Sequence, residues 1–487
     1  MGELVPRMIG SRISISPTRN IPTIKPQHLF FMFSKLQRIH FVGIGGIGMS
    51  GIAEILIDQG FTVSGSDLQK SEVTNHLASL GAIIYEGHRA ENIEGAEAVV
   101  YSSAVRINEN PETVEAQRRK IPIIRRAEML AEVTRLKYCL AIAGTHGKTT
   151  TTSMVGLILM KGGIDPTVIV GGKLSGLGGT NARLGRGEWT VVEADEYDRS
   201  FLQLLPTIAV ITNVEAEHLD IYADFDDIKR TFAQFANKTP FYGIVAVCLD
   251  NPGVMEVLPS INKKVITYGL SPQCDIRAVN VTHNERSSEF MLLRHGEELG
   301  TMSINIPGLH NVRNALGAIT AALELGVSVE DIRSALEGFS GVYRRFEIKG
   351  EKNGVMVIDD YAHHPSEVVA TLEAARKGWK RRVICVFQPH TFTRTRDFCT
   401  DFGKSFGDAD HLIVTDVYPA REEPIEGITG EIIANAATQF GHRHVQYVPN
   451  KQDIPQTLRS MMREGDIVMT LGAGDIWKYG NEFLSGL

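Results

Sequence analysis

The chain has 487 residues, 43% of them apolar and 22% charged, with a formal net charge of −7. At roughly 100–200 residues per domain this length asks for three domains, and the acidic balance excludes the basic surface that nucleic acid or an anionic membrane would need. No apolar run reaches the length of a membrane span, and five cysteines without a C-x-x-C pair read as free thiols in a reducing compartment, so the expectation is a cytoplasmic protein without membrane insertion.

Residues 1–31 stand apart. Arg7, Arg12, Arg19 and Lys25 face a single acid, Glu3, and Pro6, Pro17, Pro22 and Pro26 break any helix. They read as a disordered extension, or as a start placed upstream of Met32, and lack a signal-peptide core. The first strand is Ile39–Val42, followed by Gly43-Ile44-Gly45-Gly46-Ile47-Gly48 and a helix to about Gln59. A second strand, Phe61–Ser64, ends in Gly65-Ser66-Asp67, nineteen residues after Gly48. A glycine turn between strand and helix lays a diphosphate on the helix N-terminus, and the acid meets a ribose hydroxyl. A dinucleotide and a UDP-sugar both carry those groups, and a tight turn can need glycine for backbone reasons alone. Further strands at 82–85 and 98–103 make this a doubly wound parallel sheet.

A second α/β unit starts near Lys137. Its strand Cys139–Ala143 runs into Gly144-Thr145-His146-Gly147-Lys148-Thr149-Thr150-Thr151 and a helix. Backbone N–H groups there can cradle a triphosphate, with Lys148 on the β/γ-phosphates and the Thr149 hydroxyl on Mg²⁺. Ile142 stands where the general phosphate loop has its first glycine. Trp189–Glu193 is a strand whose last residue sits on the ligand-binding rim of the sheet and can complete Mg²⁺ coordination, while Asp195, Glu196 and Asp198 read as a solvated acidic turn. After the strand Ile208–Thr212, His218 lies beside Glu215, Glu217 and Asp220, as a metal or phosphate contact or as a structural hydrogen-bonding histidine. Residues 243–306 are strand-rich, and a helix follows over Ala315–Leu325. Asn311 and Asn314 are one helical turn apart, which suits an adenine ring, a carboxylate, or capping after Pro307-Gly308.

The character changes again near Gly341-Val342-Tyr343-Arg344-Arg345-Phe346. A third unit has strands at 355–358, 382–387, 411–414 and 466–471, a second open α/β sheet. Arg345 can bridge nucleotide phosphates and Asp360 a ribose. Arg394, beyond Gln388-Pro389-His390, can anchor a carboxylate or phosphate.

Taken together the motifs resemble the Mur ligases, the ATP-dependent amide ligases of peptidoglycan precursor synthesis. The resemblance runs from about residue 37 to the C-terminus and rests on Gly144–Thr150, Glu193-Ala194-Asp195-Glu196, His218, His310-Asn311 with Asn314, and Arg345 with Asp360, in the family's order. The opening His40–Gly51 and Asp360-Tyr361-Ala362-His363-His364-Pro365 look like the branch whose substrates are UDP-N-acetylmuramate and L-alanine. The family implies a UDP-substrate domain over 32–136, a central ATP domain over 137–340 and an amino-acid domain over 341–487. It implies ATP and Mg²⁺, and attack of the sugar acid on ATP to give an acyl phosphate that the amine then takes. The residues implied for the UDP-substrate are Gly43, Gly45, Gly46, Gly48, Asp67, Ser102 and Ser103. For ATP they are Gly144, Thr145, His146, Gly147, Lys148, Thr149, Thr150, Asn311, Asn314, Arg345 and Asp360. For the metal they are Thr149, Glu193 and His218, for catalysis Lys148, Glu193, His218 and Arg345, and for the amino acid Tyr361, His363, His390 and Arg394. The family's carbamoylated lysine finds no convincing counterpart, Lys229 included. A monomer or homodimer is expected. The alternatives are a paralogous ligase that attaches a preformed peptide to the same sugar acid, and an NAD-dependent oxidoreductase built on Gly43–Gly48.

Overall fold

The computed structural model describes residues 36–102, 104–135, 137–172, 181–218 and 221–487. Three sheets follow one another along the chain. The first has β1 (Arg38–Val42), β2 (Thr62–Asp67), β3 (Ile83–Glu86), β4 (Ala98–Tyr101) and β5 (Ile123–Arg125), all parallel, in the order β3-β2-β1-β4-β5. The reversal of direction beside β1 puts its glycine turn at a switch point, where open α/β sheets bind ligands. β2 runs on to Asp67, while β4 stops at Tyr101, short of the expected 98–103, and Ser103 lies outside the described residues.

The second sheet has ten strands. β6 (Tyr138–Ala143), β7 (Thr167–Ile169), β8 (Ala182–Arg183), β9 (Trp189–Glu193), β10 (Ile208–Ile211), β11 (Ile244–Cys248), β12 (Val265–Gly269), β13 (Ile276–Asn284), β14 (Ser287–Arg294) and β15 (Glu297–Ile304) lie in the order β15-β14-β13-β12-β11-β10-β6-β9-β7-β8. β10 and β11 are apolar throughout and wholly buried, as a parallel strand covered on both faces must be. Register pairs Ile142 with Glu193 and Ala143 with Ile211, so the carboxyl ends of β6, β9 and β10 finish level. The helix expected over 315–325 is Leu309–Glu324 and begins six residues earlier, which brings His310, Asn311 and Asn314 into its first turns.

The third sheet holds β16 (Glu347–Lys352), β17 (Val355–Asp360), β18 (Val383–Phe387), β19 (His411–Val414), β20 (Val445–Tyr447) and β21 (Ile467–Leu471), in the order β16-β17-β21-β18-β19-β20. The unit opens with the antiparallel edge strand β16, ahead of the strand expected first. Its mixed, half-buried residues give no apolar run to detect. One apolar cluster runs from Ile39 to Val257 and joins the first two units. The third keeps its own clusters on the two faces of its sheet. Among the described residues the second unit's apolar cluster takes in only Val342 from beyond residue 340, and polar contacts such as Arg394–Glu217 and His146–Glu367 cross the same junction. No described helix is long and apolar enough to cross a membrane, and all five cysteines are free.

Candidate active site

The glycine loop Gly144–Gly147 leaves β6 at Gly144, whose φ of +141° belongs to glycine, and a Cβ there would meet the Thr212 hydroxyl and the Asn213 backbone. The segment after β10 laces the loop down. Thr212 Oγ1 donates to the His146 carbonyl at 2.6 Å, Asn213 Oδ1 accepts from the His146 amide at 2.7 Å, and Thr145 Oγ1 accepts from the Glu215 amide at 2.9 Å. Gly147, at φ +81°, caps the helix Lys148–Lys161 without a side-chain bond, and no acid stands in its first turn. That positive end is uncompensated by the protein and fits a phosphate. Asn314 Oδ1 packs on Gly147. Asn311 donates to the Pro307 carbonyl and accepts from Asn314, so the pair ties its own helix start to the nucleotide loop.

Lys148 is paired rather than free. Its ammonium donates to the Gly144 carbonyl at 2.6 Å and to both oxygens of Glu196 at 2.8 and 2.9 Å. Glu196 is only 3% exposed, so the solvated turn expected around 195–198 is corrected at this residue. A buried lysine must be matched by a carboxylate, because leaving either one alone costs about 3–5 kcal/mol. Glu193 accepts from the Gly171 amide at 2.8 Å and pairs with the Thr149 side chain. Desolvation pushes its carboxyl up despite both bonds. A crowded carboxylate beside a hydroxyl, short of positive charge, fits Mg²⁺. His218 sits instead with Glu196 and Glu217, their ligand atoms all within 4.8 Å of one another. The three expected metal residues therefore divide into a Thr149–Glu193 side and a His218 side, with Lys148 and Glu196 between them. Burial opposes charge on His218, but its bond to Glu196 and the nearby Glu217 raise its pKa.

The third unit supplies the opposite wall. Arg345 approaches Glu367 at 3.5 Å and lies over the Tyr361 ring at 5.2 Å. Its neighbour Arg344 is structural, bonded to Asp359 at 2.8 Å and to the carbonyls of Gly472 and Gly474. Asp360 accepts from the amides of Phe346 and Ala362, both at 2.7 Å, and burial pushes its carboxyl up to about 6. His363 lies between Tyr361 and His390 in edge-on ring contacts at 5.3 and 5.8 Å. Arg394 meets His390 at 3.3 Å and donates to Glu217 of the second unit at 2.9 Å. Burial opposes ionisation of Glu217, yet His146, His218, His363 and Arg394 hold it down to about 2.

Two cavities result. One, of about 280 Å³, is lined by Gly147, Thr149, Asn311, Asn314, Arg345 and Asp360 among others. The second, of about 260 Å³, is lined by Lys148, Glu196, Glu217, His218, Arg345 and His363 among others. In the first unit the amides of Gly43 and Ile44 donate to the Ser66 carbonyl at 2.9 and 3.0 Å, and Gly45 donates to Asp67 at 2.8 Å. Ser102 lies against Gly43. Asp67 thus braces the glycine turn from below. Gly46 donates to the Gly43 carbonyl within the turn.

Three family models match successive stretches of the chain: "Mur ligase family, catalytic domain" over 38–138, "Mur ligase middle domain" over 142–322 and "Mur ligase, glutamate ligase domain" over 344–474. The chain belongs to the Mur ligase family. A Mur ligase of Geotalea daltonii, UDP-N-acetylmuramate–L-alanine ligase, is 54% identical over 456 residues, covering 94% of this chain and 99% of that protein. The solved UDP-N-acetylmuramate–alanine ligase of Thermotoga maritima superposes with a TM-score of 0.78 at 29% identity, over 92% of this chain and 98% of that one. A murein peptide ligase of Psychrobacter arcticus gives 0.67 at 26%, over 92% and 98%. Membership in the Mur ligases sets aside the oxidoreductase reading of Gly43–Gly48. Lys229 lines neither cavity and is ion-paired to Asp226 and Glu256, each at 2.6 Å.

Sequence reasoning gave no role to Glu367 or Arg126, and named Glu196 and Glu217 only as neighbours of Glu193 and His218. Arg126 packs its guanidinium on Gly48 and lies 3.7 Å from Asp195, bridging the first turn to the second unit. Its signal was the second of two arginines, Arg125-Arg126, at the start of the helix Arg126–Thr134, which by itself marks nothing. Glu217 carried a faint one, its place between Glu215 and His218.

Proposed function

We propose that this Mur ligase joins L-alanine to the carboxylate of UDP-N-acetylmuramate at the expense of ATP, releasing ADP and phosphate. The observation that carries this reading is Arg394 of the third unit reaching Glu217 beside His218 and Lys148. A carboxylate anchor for an amino acid then lies against the phosphate-handling groups. The identity to UDP-N-acetylmuramate–L-alanine ligases supports the choice of substrates.

We assign residues 32–136 to the UDP-substrate, 137–340 to ATP and 341–487 to the amino acid. The diphosphate lies along Gly43–Gly48 with Ser102, and ATP lies between Gly144–Thr150 and Asn311, Asn314, Arg345 and Asp360. Lys148 turns from Glu196 to the phosphates when they arrive. The sugar carboxylate attacks the γ-phosphorus in line, ADP leaves, and an acyl phosphate remains. The alanine amine attacks the acyl carbon and phosphate departs. Such transfers need positioning and charge neutralisation rather than covalent help. Thr149 and Glu193 would hold one Mg²⁺ and His218 a second, and the metal supplies charge neutralisation on the transferring phosphoryl oxygens. Arg394 exchanges Glu217 for the alanine carboxylate, while Tyr361, His363 and His390 shape the pocket. Docking of the third unit excludes water from the acyl phosphate.

The test is phosphate release with ATP and UDP-N-acetylmuramate as L-alanine is titrated in. Turnover with free L-alanine is expected. Turnover only with a preformed peptide would favour the paralogous peptide ligase instead.

A further inference from the structure

Glu367 is the third residue of the helix Pro365–Gly378, and one of its oxygens has a local task. Oε2 accepts from the amides of His363 at 3.0 Å and His364 at 3.4 Å, the reciprocal half of a capping box. The other oxygen faces away from its own helix. Oε1 meets His146 Nδ1 of the nucleotide loop at 3.1 Å and Arg345 Nη1 at 3.5 Å. Capping explains the first set of bonds and leaves the second unexplained.

The loop histidine is held on both sides. Ser366 Oγ lies 3.0 Å from His146 Nε2 and 2.8 Å from His364 Nδ1, and the His146 and His364 rings are 4.9 Å apart. Glu215 of the second unit lies 3.4 Å from the same Nε2. Burial opposes a charge on His146, but Glu367 and Glu215 raise its pKa to about 10, so it is an imidazolium at neutral pH. His146, Glu215 and His364 are close enough to form a metal triad. Both of its ring nitrogens already have protein partners, Nδ1 in Glu367 and Nε2 in Ser366 and Glu215.

The position of the contact is what matters. His146, Gly147, Thr149, Arg345 and Glu367 line both cavities, so they form the wall between nucleotide and amino acid. Glu367 also lies 3.1 Å from His363 Nδ1 on the amino-acid side. One carboxylate therefore touches the nucleotide loop, the phosphate-facing Arg345 and the alanine-facing His363, and it does so at a junction where the second unit's apolar cluster reaches only as far as Val342.

We propose that Glu367 is a positioning residue that clasps the third unit to the nucleotide loop through His146 and, by tying Arg345 to His363, makes nucleotide and amino acid bind cooperatively. This rests on the ligase reading above. Binding energy at either site then completes the same wall, and coupling between sites is reciprocal.

The experiment uses the full chain with UDP-N-acetylmuramate bound, and measures L-alanine affinity by calorimetry with and without a non-hydrolysable ATP analogue. In the unaltered protein the analogue is expected to tighten alanine by about tenfold or more. Glu367→Gln keeps a helix-capping side chain and removes the charge, and is expected to cut that factor to below about threefold. UDP-N-acetylmuramate affinity should stay within about twofold, since its site lies in another unit. His146→Gln should lose the same factor, and the double variant no more than either single one. Should Glu367→Gln fail to fold, His146→Gln and Ser366→Ala read the contact from its other members. An undiminished factor in these variants, independent losses in the double variant, or no coupling in the unaltered protein would overturn the proposal. Absence of turnover with L-alanine in the unaltered protein would instead overturn the ligase reading.

Discussion

The chain builds a glycine turn between strand and helix twice, at Gly43–Gly48 and at Gly144–Thr149, and supports the two in opposite ways. The first turn is braced within its own unit. Asp67 takes the Gly45 amide, and the Ser66 carbonyl takes the amides of Gly43 and Ile44. The Ser66 hydroxyl donates at 2.6 Å to the wholly buried Glu112, which also accepts from Asn92 at 2.6 Å and lies 3.5 Å from His40. The second turn is braced by neutral Thr212 and Asn213 from its own unit, and then by Glu367 and Ser366 from the next. One turn is complete when its unit folds. The other is complete only when a second unit docks, which suits a site where three substrates meet and water must be kept out.

The comparison can be broken most severely at Lys148. Lys148→Ala should lower turnover by about a thousandfold or more, since it removes a charge aimed at the transferring phosphoryl group, while equilibrium binding of UDP-N-acetylmuramate stays unchanged. If the UDP-substrate affinity falls as well, the two turns are not independent. Arg394→Ala comes next. Losing a charge-assisted bond of about 1.5–3 kcal/mol should raise KM for L-alanine by roughly 10–100-fold. Its stability should fall as well, because Glu217 is buried and keeps only the more distant His218 and His363, at 3.9 and 4.0 Å.

Glu112→Gln addresses the first turn. It weakens a buried network that holds Ser66, and should cost about 1–3 kcal/mol of stability. KM for UDP-N-acetylmuramate should rise by several-fold with the alanine KM unmoved, and steady-state kinetics with each substrate varied in turn checks both. The smallest effect is a pH dependence. The folded pKa of His146, about 10, stands above its ordinary 6.5. The stability it adds is thus present in full below pH 6.5 and is lost as pH rises through 10. Denaturant titrations should find His146→Gln most destabilised relative to the unaltered protein near pH 6, and the gap closing toward pH 10.

Much of this architecture is legible in the primary structure because the signals are local. An apolar run such as Ile208–Ile211, short and rich in β-branched residues, reads as a buried strand, and a glycine turn ahead of a helix presents backbone amides. Lys148, Glu193 and His218 could be chosen because each follows a strand end. Glu196 could not be, since Asp195-Glu196-Tyr197-Asp198 has the composition of any solvated turn, and its burial follows from Lys148 lying above it. The early start of the helix Leu309–Glu324 was hidden for a related reason. Its N-cap is Gly308, at φ +100°, with no capping side chain to mark the spot.

The sequence by itself determined the three-unit α/β plan, the two glycine turns between strand and helix and the kind of chemistry, because periodicity, glycine placement and strand-end polarity act over a few residues. Only the tertiary structure decided which charges meet. Glu217 with Arg394 and Glu367 with His146 are separated by 177 and 221 residues along the chain. Neither carboxylate differs locally from a surface acid. The opposing charges His146 and Arg394 reach them only where the second and third units meet.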